Sequence, residues 1–506
     1  MGDDTGAAEL PEPAGTGRPE RLIGVAVLVL LPLAIYLRAW SYPLMNFDDG
    51  PLYAADLLHG GGWRGLYDVW TGTWFFDYSP VTMLTLWLDL ALGDGGWHWH
   101  AARVQSALWL GAGAVGVWAA LARIVSGRLA FAVAAIYVAH PLCANATLWL
   151  AERKNLVCIA LTWWCVERYV AWRLGGRRGV GVAAVALGVA ALLAKPHAVA
   201  IPVMLAAWEA TLGPDAAGGF GCAASWRAAR AAGVRGVGIV WRRVWPLAAA
   251  AVPVAVYTGI EMAYREDFAR TFLGGGRLAA VWCDGGILAS YLGQVVVPRN
   301  LTIYYRVIDD PARVAALAAC WAAVAAVVAG TLWLAARRRV VACGWLLGLA
   351  ALLPALNLVP QAAARTDHYM QWALPGVLLA VAVAVVDAGA RLRVTARAGM
   401  LAGGGLAVLF ALLAAGRVPE FASRATFFTT AWHKQPDCPM NLAGHIDAEI
   451  MRHGSFQRPT GALALTAVAA PPDSILIAFR YNVACEAGVE AWRRAAESGH
   501  ADRADC

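Results

Sequence analysis

A chain of 506 residues that is 60% hydrophobic and 15% charged, with a mean hydropathy of +0.55, is too apolar for a water-soluble globule and reads as an all-α polytopic membrane protein. Its formal charge of +7 does not point to nucleic acid, because the basic residues fall in short clusters between apolar runs, as membrane orientation requires. Ten cysteines without a CxxC pair argue against a zinc site.

The first 21 residues are acidic, Pro/Gly-rich and without a cleavage-type signal, so they are expected to form a disordered cytosolic arm before a retained first span. Apolar runs long enough to cross a bilayer as helix follow near 22–40, 99–122, 129–150, 155–172, 180–194, 197–212, 246–262, 313–334, 340–356, 373–389 and 399–416, which makes 11 expected spans. Segments 80–92 and 283–297 are shorter or interrupted and suit interfacial or re-entrant helices. Arg123/Arg128, Arg173/Arg177/Arg178, the loop from Arg227 to Arg243, Arg337 to Arg339 and Arg391/Arg393/Arg397 then all fall on the cytosolic side.

The same alternation puts loop 41–98 outside, with Asp48, Asp49, Asp56, Asp68, Asp77, Asp89 and Asp94 against Arg64. Residues 417–506 also fall outside, as a polar tail with helical stretches near 440–453, 459–469, 475–486 and 488–498, similar to a degenerate tetratricopeptide unit. In an exported tail Cys438 and Cys485 either pair or remain free thiols. Arg in place of Lys and abundant Ala suggest a bacterium of high GC content, hence its inner membrane.

Chemistry concentrates where charge is unexpected. Asp48 and Asp49, in "NFDDG", are adjacent carboxylates just past the first span, and like charges this close need solvent or a cation. Lysine occurs three times, at Lys154, Lys195 and Lys434, and the first two stand in "AERKN" and "LAKPHA" at the outer ends of spans. They are either snorkelling anchors or, with Arg153 and His197, a phosphate-binding set. A carboxylate to take a proton from an attacking hydroxyl and cations to hold a departing phosphate suit group transfer from a membrane-embedded phosphate ester. His98 and His100 could hold a metal but, without nearby placed acids, better suit interfacial polar residues beside tryptophan; a divalent cation at the aspartates is left open.

The stretches "NFDDG", "FFDYSPVTMLTLWLDLALGDGGWHWH" (75–100), "HPLCANATLWLAERKNL" (140–156), "LGVAALLAKPHAVAIP" (187–202), "VVPRNLTIYY" (296–305) and "ALNLVPQAAARTDHYMQWALPG" (355–376) resemble, in order and spacing, the transmembrane and tetratricopeptide-repeat (TMTC) protein O-mannosyltransferase family. More broadly, residues 22–420 look like a GT-C glycosyltransferase. The resemblance implies an outer-face active site, a polyprenyl-phosphate-linked sugar donor, possible mannose specificity and inverting transfer with an acid of the first outer loop as base. By motif it implies Asp48 and Asp49 as the catalytic acidic pair. Arg153, Lys154, Lys195 and His197 would meet the donor phosphate. His140, Asp367, His368, Tyr369, His100 and Tyr78 would contact substrate. The chain departs from the family at Ser79, where Arg precedes the proline, at His368, where Arg is usual, and at Asn145, where Glu is usual. The long repeat array is reduced to the tail.

The expected function is therefore a membrane glycosyltransferase acting from a polyprenyl-phosphate sugar on a protein, glycan or lipid hydroxyl. A transporter or flippase for a lipid-linked or anionic substrate is the rival, and a non-catalytic scaffold the weaker third. Against the transporter stands the absence of an internal repeat and of midplane charges.

Overall fold

The computed structural model describes residues 18–45, 48–49, 58, 61–72, 78–93, 99–213, 255–256, 272–335, 338–358, 361 and 363–453. Among them every regular element is a helix. The α-helices in chain order are α1 (Arg18–Tyr36), α2 (Trp63–Thr71), α3 (Pro80–Ala91), α4 (Trp99–Leu121), α5 (Gly127–Ala139), α6 (Cys143–Leu148), α7 (Arg153–Arg173) and α8 (Arg178–Ala194). They continue as α9 (Ile201–Leu212), α10 (Arg277–Val296), α11 (Val314–Ala335), α12 (Arg339–Leu352), α13 (Asp367–Arg391), α14 (Ala396–Arg417), α15 (Arg424–Lys434) and α16 (Pro439–His453).

Among the described residues five helices are long and apolar enough to cross a membrane, at Pro19–Ser41, His100–Leu121, Val314–Trp333, Asp367–Arg391 and Ala396–Phe421. The other expected crossings are shorter or carry more charge. The run 129–150 is not one helix: α5 stops at Ala139, because His140 precedes Pro141 and takes an extended conformation, which a proline imposes on its predecessor. The apolar run 180–212 breaks the same way, with Lys195 extended before Pro196 and a 3-10 turn over Pro196–Ala200. The expected span 246–262 lies outside the described residues apart from 255–256, as do the arm before Arg18 and the tail beyond His453, including Cys485.

Helix starts follow local chemistry: Ser126, Thr395 and Ser423 accept from the backbone N–H three residues on, and Pro80 occupies the first turn of α3. Helices α12 and α13 cross closely. A methyl group at Gly376 would lie 2.5 Å from the Gly348 nitrogen and 2.6 Å from the Gly344 oxygen, so three glycines allow the two backbones to touch.

The bundle has two chemically different ends. At one, arginines pair with acids, Arg123 with buried Glu167 at 2.7 Å, Arg173 with buried Glu209, and Arg338 with the partly exposed Asp387 at 2.8 Å. At the other gather the turns after α1, α5, α8, α12 and α14 and the starts of α7 and α13. Helix α10 belongs to that second end. Its Asp284 accepts from Asn357, its Tyr291 donates to the Thr366 carbonyl, and His140 meets its Val295 carbonyl, so most of its length lies along one end rather than across the bundle. The start of the tail is packed there too. Phe421, Phe427 and Phe428 are core residues, and Asn441 donates to the Tyr304 carbonyl at 3.0 Å.

Candidate functional site

The aspartate pair divides. Asp49 is fully buried and its Oδ2 accepts the Met45 N–H at 3.0 Å, so it holds the loop that carries it. Asp48 stays partly exposed. Burial pushes its carboxyl up to about 7, aided by Glu152 and Asp49 and opposed by Lys154 and Arg424.

The hub beside it is Glu152, at the end of the turn Leu150–Glu152 that leads into α7. Lys195 Nζ lies 3.4 Å from Glu152 Oε2 and donates to Asn155 Oδ1 at 2.9 Å. Asn155 in turn donates to Glu152, and its Oδ1 also accepts from the Trp372 indole at 3.0 Å. His368 Nε2 sits 3.8 Å from Glu152, while its Nδ1 donates to Asn145 Oδ1 at 3.1 Å. Burial alone would raise the Glu152 carboxyl; His368, Lys195 and Lys154 together outweigh it and hold the group below the ordinary carboxylate value. The imidazole contributes only when protonated. Lys154 is partly exposed and acts electrostatically on both Asp48 and Glu152.

Of the sequence-derived residues, the structure brings together Asp48, Asp49, Lys154, Lys195 and His368, with His197 and Tyr369 packed alongside. His197 Nε2 donates to the Ala351 carbonyl at 3.3 Å, and its ring lies 4.5 Å from Trp372 and 6.1 Å from Tyr369. It is a buried support for this wall. Arg153 is turned the other way: it is fully buried, with Nη1 2.5 Å from Asp89 Oδ2, Nη2 donating to the Ala102 carbonyl at 2.7 Å and Nε to Ser106 at 3.2 Å. Its guanidinium ties α3, α4 and α7 together, which corrects its expected place as a phosphate clamp. Consecutive helical residues point about 100° apart, so Arg153 and Lys154 cannot serve the same site.

His140 is also structural. One ring nitrogen meets the Val295 carbonyl at 3.2 Å, the other accepts the Leu142 N–H at 3.2 Å, and Phe410 covers the ring. Asp367 is buried between Arg417 Nη1, at 2.9 Å, and the Tyr305 hydroxyl. His100 is exposed, stacked on Trp40 with Nδ1 2.7 Å from the Trp40 carbonyl, and Tyr78 donates to the Trp70 carbonyl at 2.9 Å. His98 lies outside the described residues. Among the described residues no group of three or more His, Cys, Asp or Glu side chains is placed to hold a metal ion.

Glu152, Asn155 and Trp372 are the residues that sequence reasoning passed over. The signal was present: two lysines facing a nonpolar phase require a carboxylate, and Glu152 is the acid nearest to Lys154 in sequence.

No family model matches the chain and no curated protein does, so the motif likeness to the O-mannosyltransferase family stands on the quoted residues alone. Among solved structures, the chain is similar to archaeal oligosaccharyltransferase AglB from Archaeoglobus fulgidus, in complex with an inhibitory peptide and a dolichol-phosphate, with a TM-score of 0.40 and 14% identity over 87% of this chain. The match covers 60% of that protein, so the chain spans about three-fifths of its length.

Proposed function

We propose that the chain is a membrane glycosyltransferase of GT-C type that moves a sugar, with inversion, from a polyprenyl-phosphate carrier to an acceptor hydroxyl. The observation that carries this reading is the grouping at one end of the bundle of Asp48, a partly exposed residue whose carboxyl burial pushes up to about 7, with Lys154 and the buried Glu152–Lys195–Asn155 network. A base needs a pKa close to the working pH, and a leaving phosphate needs a fixed cation in a poorly solvated place. Asp48 takes the acceptor O–H proton as that oxygen bonds to the anomeric carbon. The bond from that carbon to the phosphate oxygen breaks with its electron pair, and Lys154 meets the charge that develops. Glu152 and Asn155 orient Lys195 toward the same edge, while Asp49 and Arg153 position the elements that carry the base and the cation.

The arginine-paired end then faces the cytosol and the site faces outward, as the positive-inside rule requires, with the N-terminus cytosolic and the tail outside. Mannose as the sugar, and a bacterial polyprenol as the carrier, follow from the motif resemblance and from composition.

The test is sugar transfer by purified protein from a panel of synthetic polyprenyl-phosphate sugars. Asp48→Asn is expected to lower the turnover number by about a hundred-fold or more without lowering the unfolding temperature. Full activity of that variant would remove Asp48 as base. Carrier binding without turnover by the unaltered protein would instead favour the transporter reading.

A further inference from the structure

A second polar cluster lies at the same end, apart from Asp48, and the proposed reaction makes no use of it. It borders a cavity of about 290 Å³ walled by Pro298, Leu412, Leu413, Arg417, Glu420 and Lys434. Such a volume is at the small end of ligand sites, about 300–1,000 Å³, room for a headgroup rather than a whole lipid.

Its two sides differ in chemistry. Leu412 and Leu413 belong to the membrane-length helix α14 and are 66% and 44% exposed, so one wall is open to the acyl region of a bilayer. Gly416, one turn further, has open space where a side chain would begin. The opposite end carries both signs of charge. Lys434 Nζ is 2.6 Å from Glu420 and donates to the Leu301 carbonyl at 3.0 Å. Arg417 is 6% exposed, and its Nη1 is neutralised from behind by Asp367. Its buried Nε donates no hydrogen bond, the Glu420 carboxylate being 3.5 Å away. A buried guanidinium N–H held only by an ion pair at 3.5 Å, with no hydrogen bond, marks a place where a ligand oxygen would be stabilised.

We propose that this cavity binds the headgroup of a zwitterionic phospholipid carrying a primary amine, the phosphoethanolamine class. Its phosphate accepts from Arg417 Nε and Lys434, its ammonium pairs with Glu420, and its chains leave along Leu412 and Leu413. A purely anionic headgroup leaves Glu420 facing the phosphate, where it repels. A quaternary amine cannot donate to the carboxylate. A soluble phosphate ester makes no use of the leucine wall. The proposal rests on the membrane setting of α14 and not on the glycosyltransferase reading.

The experiment is lipid retention by the purified full chain, read by native mass spectrometry after equilibration with equimolar phosphatidylethanolamine, phosphatidylcholine and phosphatidylglycerol, with free phosphoethanolamine as a separate competitor. Phosphatidylethanolamine is expected to be retained about ten-fold over each of the others, a difference near 1.4 kcal/mol. Free phosphoethanolamine should not displace it at matching concentration. Gly416→Leu, whose Cβ meets open space, should abolish the preference while leaving the unfolding temperature and sugar transfer unchanged; Glu420→Gln should remove discrimination by the amine. Equal retention of the three lipids, preference for phosphatidylglycerol, displacement by the free headgroup, or an undiminished preference in Gly416→Leu would each overturn it.

Discussion

Asp48 and Asp49 are adjacent in sequence yet differ in surroundings: one is buried under a backbone N–H, the other stands at the edge of a charged network. Because burial lifts the Asp48 carboxyl to about 7, its base form accumulates only as pH rises through that value. Transfer measured as kcat/KM should therefore fall about ten-fold per unit below pH 7 and level off above it. The stability sign runs the same way. A carboxyl whose folded pKa is raised contributes fully below its ordinary value and loses that contribution as pH rises through about 7, so the unfolding temperature of Asp48→Asn should gain on the unaltered protein across that interval. Asn145 and His368, singled out separately in the sequence, are hydrogen-bonded to each other at 3.1 Å. Their separation in sequence, 145 against 368, hid that coupling from a residue-by-residue reading.

Elements decide which side chains the residues can use. The motif around Arg153 and Lys154 was legible as two cations at a helix start, but which of them meets the site depends on the helix phase, and the phase is set by the neighbours α3 and α4 that receive Arg153. The same limit applies to His140: its motif was visible, whereas the Val295 and Phe410 that enclose it come from α10 and α14. The interrupted apolar run 283–297 suggests an interfacial or re-entrant segment; the structure makes it part of one helix, α10, whose Asp284, Tyr291 and Val295 contact Asn357, Thr366 and His140. For the α12/α13 crossing the expectation is sharp. Gly376→Ala forces a carbon to within 2.5 Å of the Gly348 backbone and should cost about 1–3 kcal/mol, seen as a lower unfolding temperature in detergent. Gly403→Ala on α14 meets open space and should not lower it.

At the scale of the molecule, the arginine–acid pairs and the Asp48–Glu152 network occupy opposite ends of the bundle. If the site end is outside, a cysteine at exposed Arg299, in a cysteine-free background, should react with a membrane-impermeant maleimide on intact cells. A cysteine at exposed Arg128 should react only after permeabilisation. The opposite pattern would reverse the orientation and place the proposed chemistry in the cytosol. The described start of the tail joins the bundle rather than standing apart, with Lys434 and Asn441 donating to the 301–304 loop.

Hydrophobic content and run length by themselves determined that this protein is helical and membrane-bound, because lipid tolerates a backbone only when its polar groups are satisfied within the segment. The scarcity of lysine likewise made Lys154 and Lys195 conspicuous. What only the tertiary structure decided is how those charges are shared: Arg153 goes to Asp89, Arg417 to Asp367, and Lys195 to Glu152 and Asn155. The physical reason is that pairing a buried charge depends on distance in space and on helix phase, and neither is written in the spacing of one segment.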